Sequence, residues 1–304
     1  MRRTRTLAGI GIAAAALLAL TACNSGSPSS PGAGTGGEES EDSTWFEVAD
    51  DVQLEGSPTF DAIQERDKVI VGVKEDQPGL GYLDVTTGER TGFDVDIARW
   101  IAASLGYDED KIEFKPIASA NREQAITNGD IDYYVGTYSL TDKRKQQISF
   151  AGPYYVAGQD LLVRKDDTAI TGPESIGGKK ICSVTGSTPI QRIKTEYKTA
   201  QTVEFEKYSQ CVDALLNKQV DAVSTDDAIL KGYAAQQPDK LKVVGKTFST
   251  EKYGVGLAKD DKALRDKIND IIEASVKDGD WQDIYNDTLG KSGSEGKAPA
   301  IERY

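Results

Sequence analysis

Twice along this chain a buried-looking strand is followed by a helix and another strand. That alternation limits the fold more than any other feature of the sequence. Val69-Ile-Val-Gly-Val reads as a first strand, because a short β-branched run bounded by polar residues suits the middle of a sheet. Gly92 to Gly106 reads as a helix. Its apolar positions Val95, Ile97, Ala98, Ile101, Ala102 and Leu105 recur at helical spacing, and Gly106 suits a C-terminal cap. Ile112-Glu-Phe-Lys-Pro is a second strand, Arg122 to Asn128 a short helix ended by Gly129, and Ile131 to Thr137 a third strand. The order restarts at Gly178-Lys-Lys-Ile-Cys-Ser-Val, with further strands at 202–205 and 220–224 and helices at 189–197, 209–218 and 226–236. Two such runs predict two α/β lobes, each a mostly parallel sheet with flanking helices. Lys74 to Gly81 reads as a loop, Asp261 to Asp278 as an amphipathic helix, and Lys291 to Tyr304 as a loose polar tail.

The N-terminus speaks to compartment. Met1-Arg-Arg-Thr-Arg is basic, and Leu7 to Leu20 is an apolar run too short to span a bilayer comfortably. Leu20-Thr21-Ala22-Cys23 then resembles a bacterial lipobox. Residues 1–22 are therefore expected to be a lipoprotein signal peptide and Cys23 the lipidated mature N-terminus. The Ser-, Gly- and Pro-rich residues that follow make 23–54 an expected disordered tether. The protein is expected to be exported and anchored by lipid to the outer face of the cytoplasmic membrane.

With Cys23 assigned to lipid, Cys182 and Cys211 remain, and outside the cell a disulfide is the favoured reading over two separate buried thiols. The chain contains no histidine, which removes Ser-His-Asp and Cys-His catalysis and most zinc sites together. No metal and no cofactor is expected. A net charge of −13 argues against nucleic acid as a partner.

Ligands of such sheets bind beyond the C-terminal ends of strands, near loops and helix N-termini. That rule singles out Lys74 to Tyr82, Asn121 with Arg122, Thr137 to Arg144, Thr185 to Thr188, and Asp226. The stretch Ala120 to Tyr155 is the richest of these. Thr137, Ser139 and Thr141 alternate, which places small hydroxyls on one side of an extended segment. Arg144 follows close behind and adds a bidentate carboxylate clamp. The stretch reads as a wall for a small anionic or zwitterionic molecule.

At these motifs the chain resembles the type-3 solute-binding proteins of ABC importers for polar amino acids. Gly92-Phe-Asp-Val-Asp-Ile-x-x-x-Ile-Ala-x-x-Leu carries the likeness, with Asn121-Arg122, Gly129-x-x-Asp132, Thr141-x-x-Arg144 and Phe150-x-x-Pro153-Tyr154. Lys74-x-Asp76-Gln77-Pro78-Gly79-Leu80-Gly81 and Thr137-Tyr138-Ser139 resemble the glutamate-binding lipoproteins of Gram-positive bacteria in particular. The resemblance implies a two-lobe Venus-flytrap fold with a two-strand hinge: lobe 1 at 55–155 plus 247–290, lobe 2 at 156–246, and a tail at 291–304. It implies that Arg144 clamps the ligand α-carboxylate, that Asp226 pairs with the α-ammonium, and that Thr137, Ser139 and Thr188 bind through hydroxyls or backbone. Arg122 and Lys74 match positions that hold a side-chain carboxylate, Tyr138 falls in the same ligand-binding set, and Tyr154 and Tyr155 are hinge-side aromatics.

Each residue also has a plainer reading. Asp226 suits a helix N-cap, because Thr225-Asp226-Asp227 precedes a helix; Lys74 suits an exposed loop. A zwitterion needs one cation and one acid, which Arg144 and Asp226 supply. Lys74 and Arg122 are surplus unless the ligand carries a second anion, so glutamate is expected first, then aspartate, then glutamine or asparagine. The expected function is capture of that amino acid and delivery to membrane permease subunits, by a monomer and without catalysis. The alternative is an exported dehydratase on the same fold, for which Glu75 and Asp226 are the acid/base candidates.

Overall fold

The computed structural model describes residues 46–292 and 295–304. The expected signal peptide, Cys23 and most of the expected tether lie outside the described residues. The tether's last part, 46–54, is not loose. Phe46 stacks edge-on against Trp100 at 5.0 Å, Ala49 N–H donates to Ala103 O, and Val52 and Leu54 pack on the core.

In chain order the elements begin α1 (Pro58–Arg66), β1 (Val69–Val73), β2 (Asp76–Gln77), β3 (Gly81–Leu83), β4 (Arg90–Thr91), α2 (Phe93–Ser104) and β5 (Ile112–Pro116). They continue with α3 (Arg122–Thr127), β6 (Tyr133–Tyr134), α4 (Asp142–Lys145), β7 (Ser149–Ala157) and β8 (Gln159–Arg164). Next come β9 (Lys180–Val184), α5 (Thr188–Glu196), β10 (Gln201–Phe205), α6 (Tyr208–Leu216), β11 (Ala222–Asp226), α7 (Asp227–Gln236) and β12 (Leu241–Val243). β13 (Glu251–Leu257), α8 (Lys262–Asp278) and α9 (Asp280–Asp287) close the fold.

The strands form two five-stranded sheets, ordered β5-β1-β6-β13-β7 and β10-β9-β11-β8-β12. In each, one strand runs against its neighbours: β13 is antiparallel to β6 and β7, and β8 is antiparallel to β11 and β12. The two reversed strands are those the chain enters on crossing between sheets, from β7 to β8 through Gly158 and back from β12 to β13. The fold is thus the two-lobe α/β architecture.

Local chemistry explains the elements that frame the site. Ser57 accepts from Phe60 N–H and starts α1 ahead of Pro58. Phe93, Val95, Ile97, Ala98 and Ile101 of α2 are buried, as their spacing requires. Asp261 caps α8 by accepting from Leu264 N–H, and Gly279 ends it in the left-handed conformation at φ 104°.

Three local expectations change. The 74–81 loop pairs into β2 and β3, which with β4 form a small antiparallel sheet. The strand expected over 131–137 is ladder-paired only at Tyr133–Tyr134; beyond it the chain leaves β geometry, because Thr137 turns to φ 45°. The C-terminal residues are tied down rather than loose. Glu302 N–H donates to Gly152 O, Tyr304 Oη accepts from Phe150 N–H at 2.8 Å, and Arg303 pairs with Asp270 and Glu273. The structure also joins Cys182 of β9 to Cys211 of α6 through a disulfide with Cα atoms 5.6 Å apart.

Candidate functional site

The C-terminal ends of β5, β6, β9 and β11 deliver their following residues to one place between the two sheets. Arg122, Thr137, Ser139, Arg144, Thr188 and Asp226 line a single cavity there, together with Ser119, Ser187, Pro189, Tyr208 and Ile229. Its volume is ≈ 10 Å³ of room for the centre of a water molecule, about one water's worth. The walls meet directly. Ser139 Oγ and Thr188 Oγ1 lie 3.2 Å apart, and Arg144 donates to Gly186 O at 3.0 Å. Loops of the first sheet are therefore closed onto loops of the second.

The two arginines share a platform. Their guanidinium carbons lie 4.3 Å (Arg122) and 4.8 Å (Arg144) from the Tyr138 ring centroid, a cation–π arrangement that favours both charges against burial. Arg144 also donates Nε–H to Glu123 at 3.0 Å and one terminal N–H to Ser139 O at 2.7 Å. Its backbone N–H is capped by Thr141 Oγ1, so the third hydroxyl of the alternating set starts α4 and does not line the cavity. Arg122 Nε–H donates to Ser119 O at 3.0 Å.

Thr137 is held in its left-handed turn by Asp94, whose Oδ2 accepts the Thr137 N–H at 2.9 Å while Oδ1 accepts from Tyr154 Oη at 2.8 Å. Burial pushes the Asp94 carboxyl up to about 6, against the pull of the Tyr154 bond. Asp226 ends β11. It stands at the N-cap position of α7, yet its side chain makes no cap bond. Oδ2 instead accepts from Tyr253 Oη at 2.6 Å, and Oδ1 is buried with no partner among the described residues. Burial, then the neighbouring Glu251, raises its carboxyl to about 7.

Two expected residues sit elsewhere. Lys74 is behind the wall: its Nζ donates to Ser119 Oγ at 2.8 Å and Ile117 O at 3.1 Å, and only Ser119 reaches the cavity. Burial, then the Arg122 charge, lowers Lys74 to about 7. Tyr138 is fully buried beneath the arginines and lines no part of the cavity. Glu75 pairs with Lys207 at 2.5 Å outside the cavity. Sequence reading passed over Ser119, Tyr208 and Ile229, which carry no local signal, and Asp94, whose place in Gly92-Phe-Asp was the available hint. It also passed over Glu251, which accepts from Thr188 Oγ1 at 2.9 Å.

The family model for bacterial extracellular solute-binding proteins, family 3, matches residues 69–291. The chain belongs to this family. It is 40% identical over 247 residues to the glutamate-binding protein GluB of Corynebacterium efficiens, covering 78% of this chain and 84% of that one. It is 36% identical to the ABC transporter glutamine-binding protein GlnH of Bacillus subtilis, over 97% of this chain and all (100%) of that one. Among solved structures it is similar to the ancestral amino acid-binding protein AncCDT-1, described as a precursor of cyclohexadienyl dehydratase. The TM-score is 0.70 at 28% identity, over 76% of this chain and 99% of the other. No helix among the described residues is long and apolar enough to cross a membrane.

Proposed function

We propose that this family member is an extracytoplasmic lipoprotein that captures an acidic L-amino acid, glutamate first, between its two lobes and delivers it to an ABC permease. One observation carries the reading: a buried carboxylate oxygen, Asp226 Oδ1, has no partner among the described residues and shares a cavity with two guanidiniums. An unpartnered buried carboxylate is costly unless a cation meets it, and an α-ammonium supplies one. Arg144 then takes the α-carboxylate, displacing its bond to Gly186 O as the walls part to admit the ligand. Thr137, Ser139 and Thr188 offer hydroxyls or backbone to the same zwitterion. Arg122, with Lys74 behind Ser119, is the surplus positive charge for a side-chain carboxylate. The likeness to GluB supports glutamate and the likeness to GlnH keeps glutamine as the competitor. The lobes divide as 55–155 plus 247–290 and 156–246. An extra charge-assisted contact contributes about 1.5–3 kcal/mol, so glutamate is expected to bind roughly ten- to a hundredfold tighter than glutamine. Calorimetric titration with glutamate, aspartate, glutamine and asparagine tests this; glutamine binding tighter than glutamate overturns the choice of ligand.

A second reading, an enzyme, rests on Asp226, whose carboxyl near 7 in a closed cavity suits a general acid or base. Incubating the protein with amino acids, including cyclic ones, and following product separates the two. No turnover is expected.

A further inference from the structure

Outside the cavity, the same loop that carries Lys74 grips two helices of the other sheet. Helix α6 begins after Lys207, and a lysine has no acceptor with which to cap the exposed N–H groups of a first turn. The cap comes from across the cleft. Asp76 Oδ2 accepts from Ser209 N–H at 3.0 Å, and its charge also suits the positive end of the helix. Tyr233 of α7 donates its hydroxyl to Asp76 O and lies 3.3 Å from Asp76 Oδ2. Beside it sits Gly232, in mid-helix, where glycine is among the poorest residues for helix stability. Its position has a tertiary explanation: a Cβ there would stand 2.2 Å from Pro78 O. The glycine lets Pro78 seat against α7. None of Asp76, Pro78, Ser209, Gly232 or Tyr233 lines the ligand cavity. The neighbouring loop residue Gln77 faces the other way and accepts from Thr137 Oγ1 at 3.2 Å. One short strand thus touches the cavity wall on one side and α6 and α7 on the other.

We propose that Asp76 and Gly232 form a closure latch, remote from the ligand, that sets how much of the protein is in the binding-competent closed state and so scales the affinity for every ligand alike. The latch rests on the ligand-capture reading above. When only a fraction of the molecules is competent, apparent affinity falls by that fraction whatever the ligand.

Gly232→Ala isolates the effect, because it removes no polar contact and favours the isolated helix while blocking the Pro78 seat. The experiment measures interlobe distance in the unliganded protein by fluorescence energy transfer between one label on each lobe. Glutamate and glutamine titrations follow on the same samples. The expected result is a more open unliganded G232A with undiminished thermal stability, and both ligands weakened by the same factor, about tenfold or more. Asp76→Ala should open the unliganded protein likewise and Tyr233→Phe less. An unchanged interlobe distance in G232A, or a loss that differs between glutamate and glutamine, overturns the latch. Were wild type to bind no amino acid, the capture reading would fail instead, and the distance measurement alone would still decide the latch.

Discussion

Tyr253 Oη donates to Asp226 Oδ2 across 2.6 Å, and the other oxygen of that carboxylate is buried without a partner among the described residues. The bond joins β13, where the chain returns to the first sheet, to the end of β11 in the second. It aims a half-satisfied carboxylate into the cavity. Asp226→Asn should therefore weaken glutamate and glutamine alike, by about ten- to a hundredfold, since an amide forgoes the charge-assisted bond. The same variant carries a stability signature. The folded carboxyl sits near 7, above its ordinary value of 3.8, so its contribution to stability is present at low pH and is lost as pH rises through about 7. Wild type minus Asp226→Asn, followed by thermal melts between pH 4 and 8, should show that loss; a flat difference would remove the carboxyl from the site.

Arg122 and Arg144 stand on one ring but have different expected partners. Arg144→Ala should abolish binding of every amino acid. Arg122→Ala should cost glutamate roughly ten- to a hundredfold, on the scale of one charge-assisted contact, and glutamine far less. Titration of both variants with both ligands decides it. Equal losses in Arg122→Ala would detach that residue from the ligand side chain.

With Asp226 and Lys74 both poised near 7, amino-acid binding is expected to be proton-linked. An ammonium beside Asp226 lowers that carboxyl and releases a proton. A side-chain carboxylate near Ser119 raises Lys74 from about 7 and takes a proton up. Calorimetry at pH 7 in two buffers of different ionisation enthalpy should show net release with glutamine, and less release or net uptake with glutamate. Lys74→Met should erase the difference between the two ligands. If it persists, Lys74 plays no electrostatic part.

Cys182 and Cys211 lie 29 positions apart and tie β9 to α6. A closed loop of that size corresponds to about 3.5 kcal/mol of stabilisation on the chain-entropy account. Cys182→Ser with Cys211→Ser should lower the urea midpoint accordingly, and reductant should move wild type to the same place. A midpoint unmoved by either would argue against the bond in solution.

The α/β alternation, the helix at 93–104 and the helix at 262–278 were legible because burial imprints its period on neighbouring residues. The loops at strand ends were legible through the general placement of ligands in such sheets. Contacts between distant residues leave no such imprint. Nothing near Thr137 announces that Asp94 holds its turn, and nothing near Tyr138 distinguishes a ring under two guanidiniums from one in a cavity wall. Lys74 read as a ligand contact or a surface lysine; it is buried, and Ser119, far along the chain, stands between it and the cavity.

By itself, then, the sequence determined the lobes' building pattern and the stock of charges and hydroxyls available to a site, since those follow from local periodicity and residue chemistry. Only the tertiary structure decided which groups face the cavity, which support it from behind, and which fasten the lobes. Asp226 meets Tyr253, Asp76 caps α6, and Gly232 makes room for Pro78 only when the two sheets come together. Those relationships depend on how the lobes pack against each other, and no local stretch of chain encodes that.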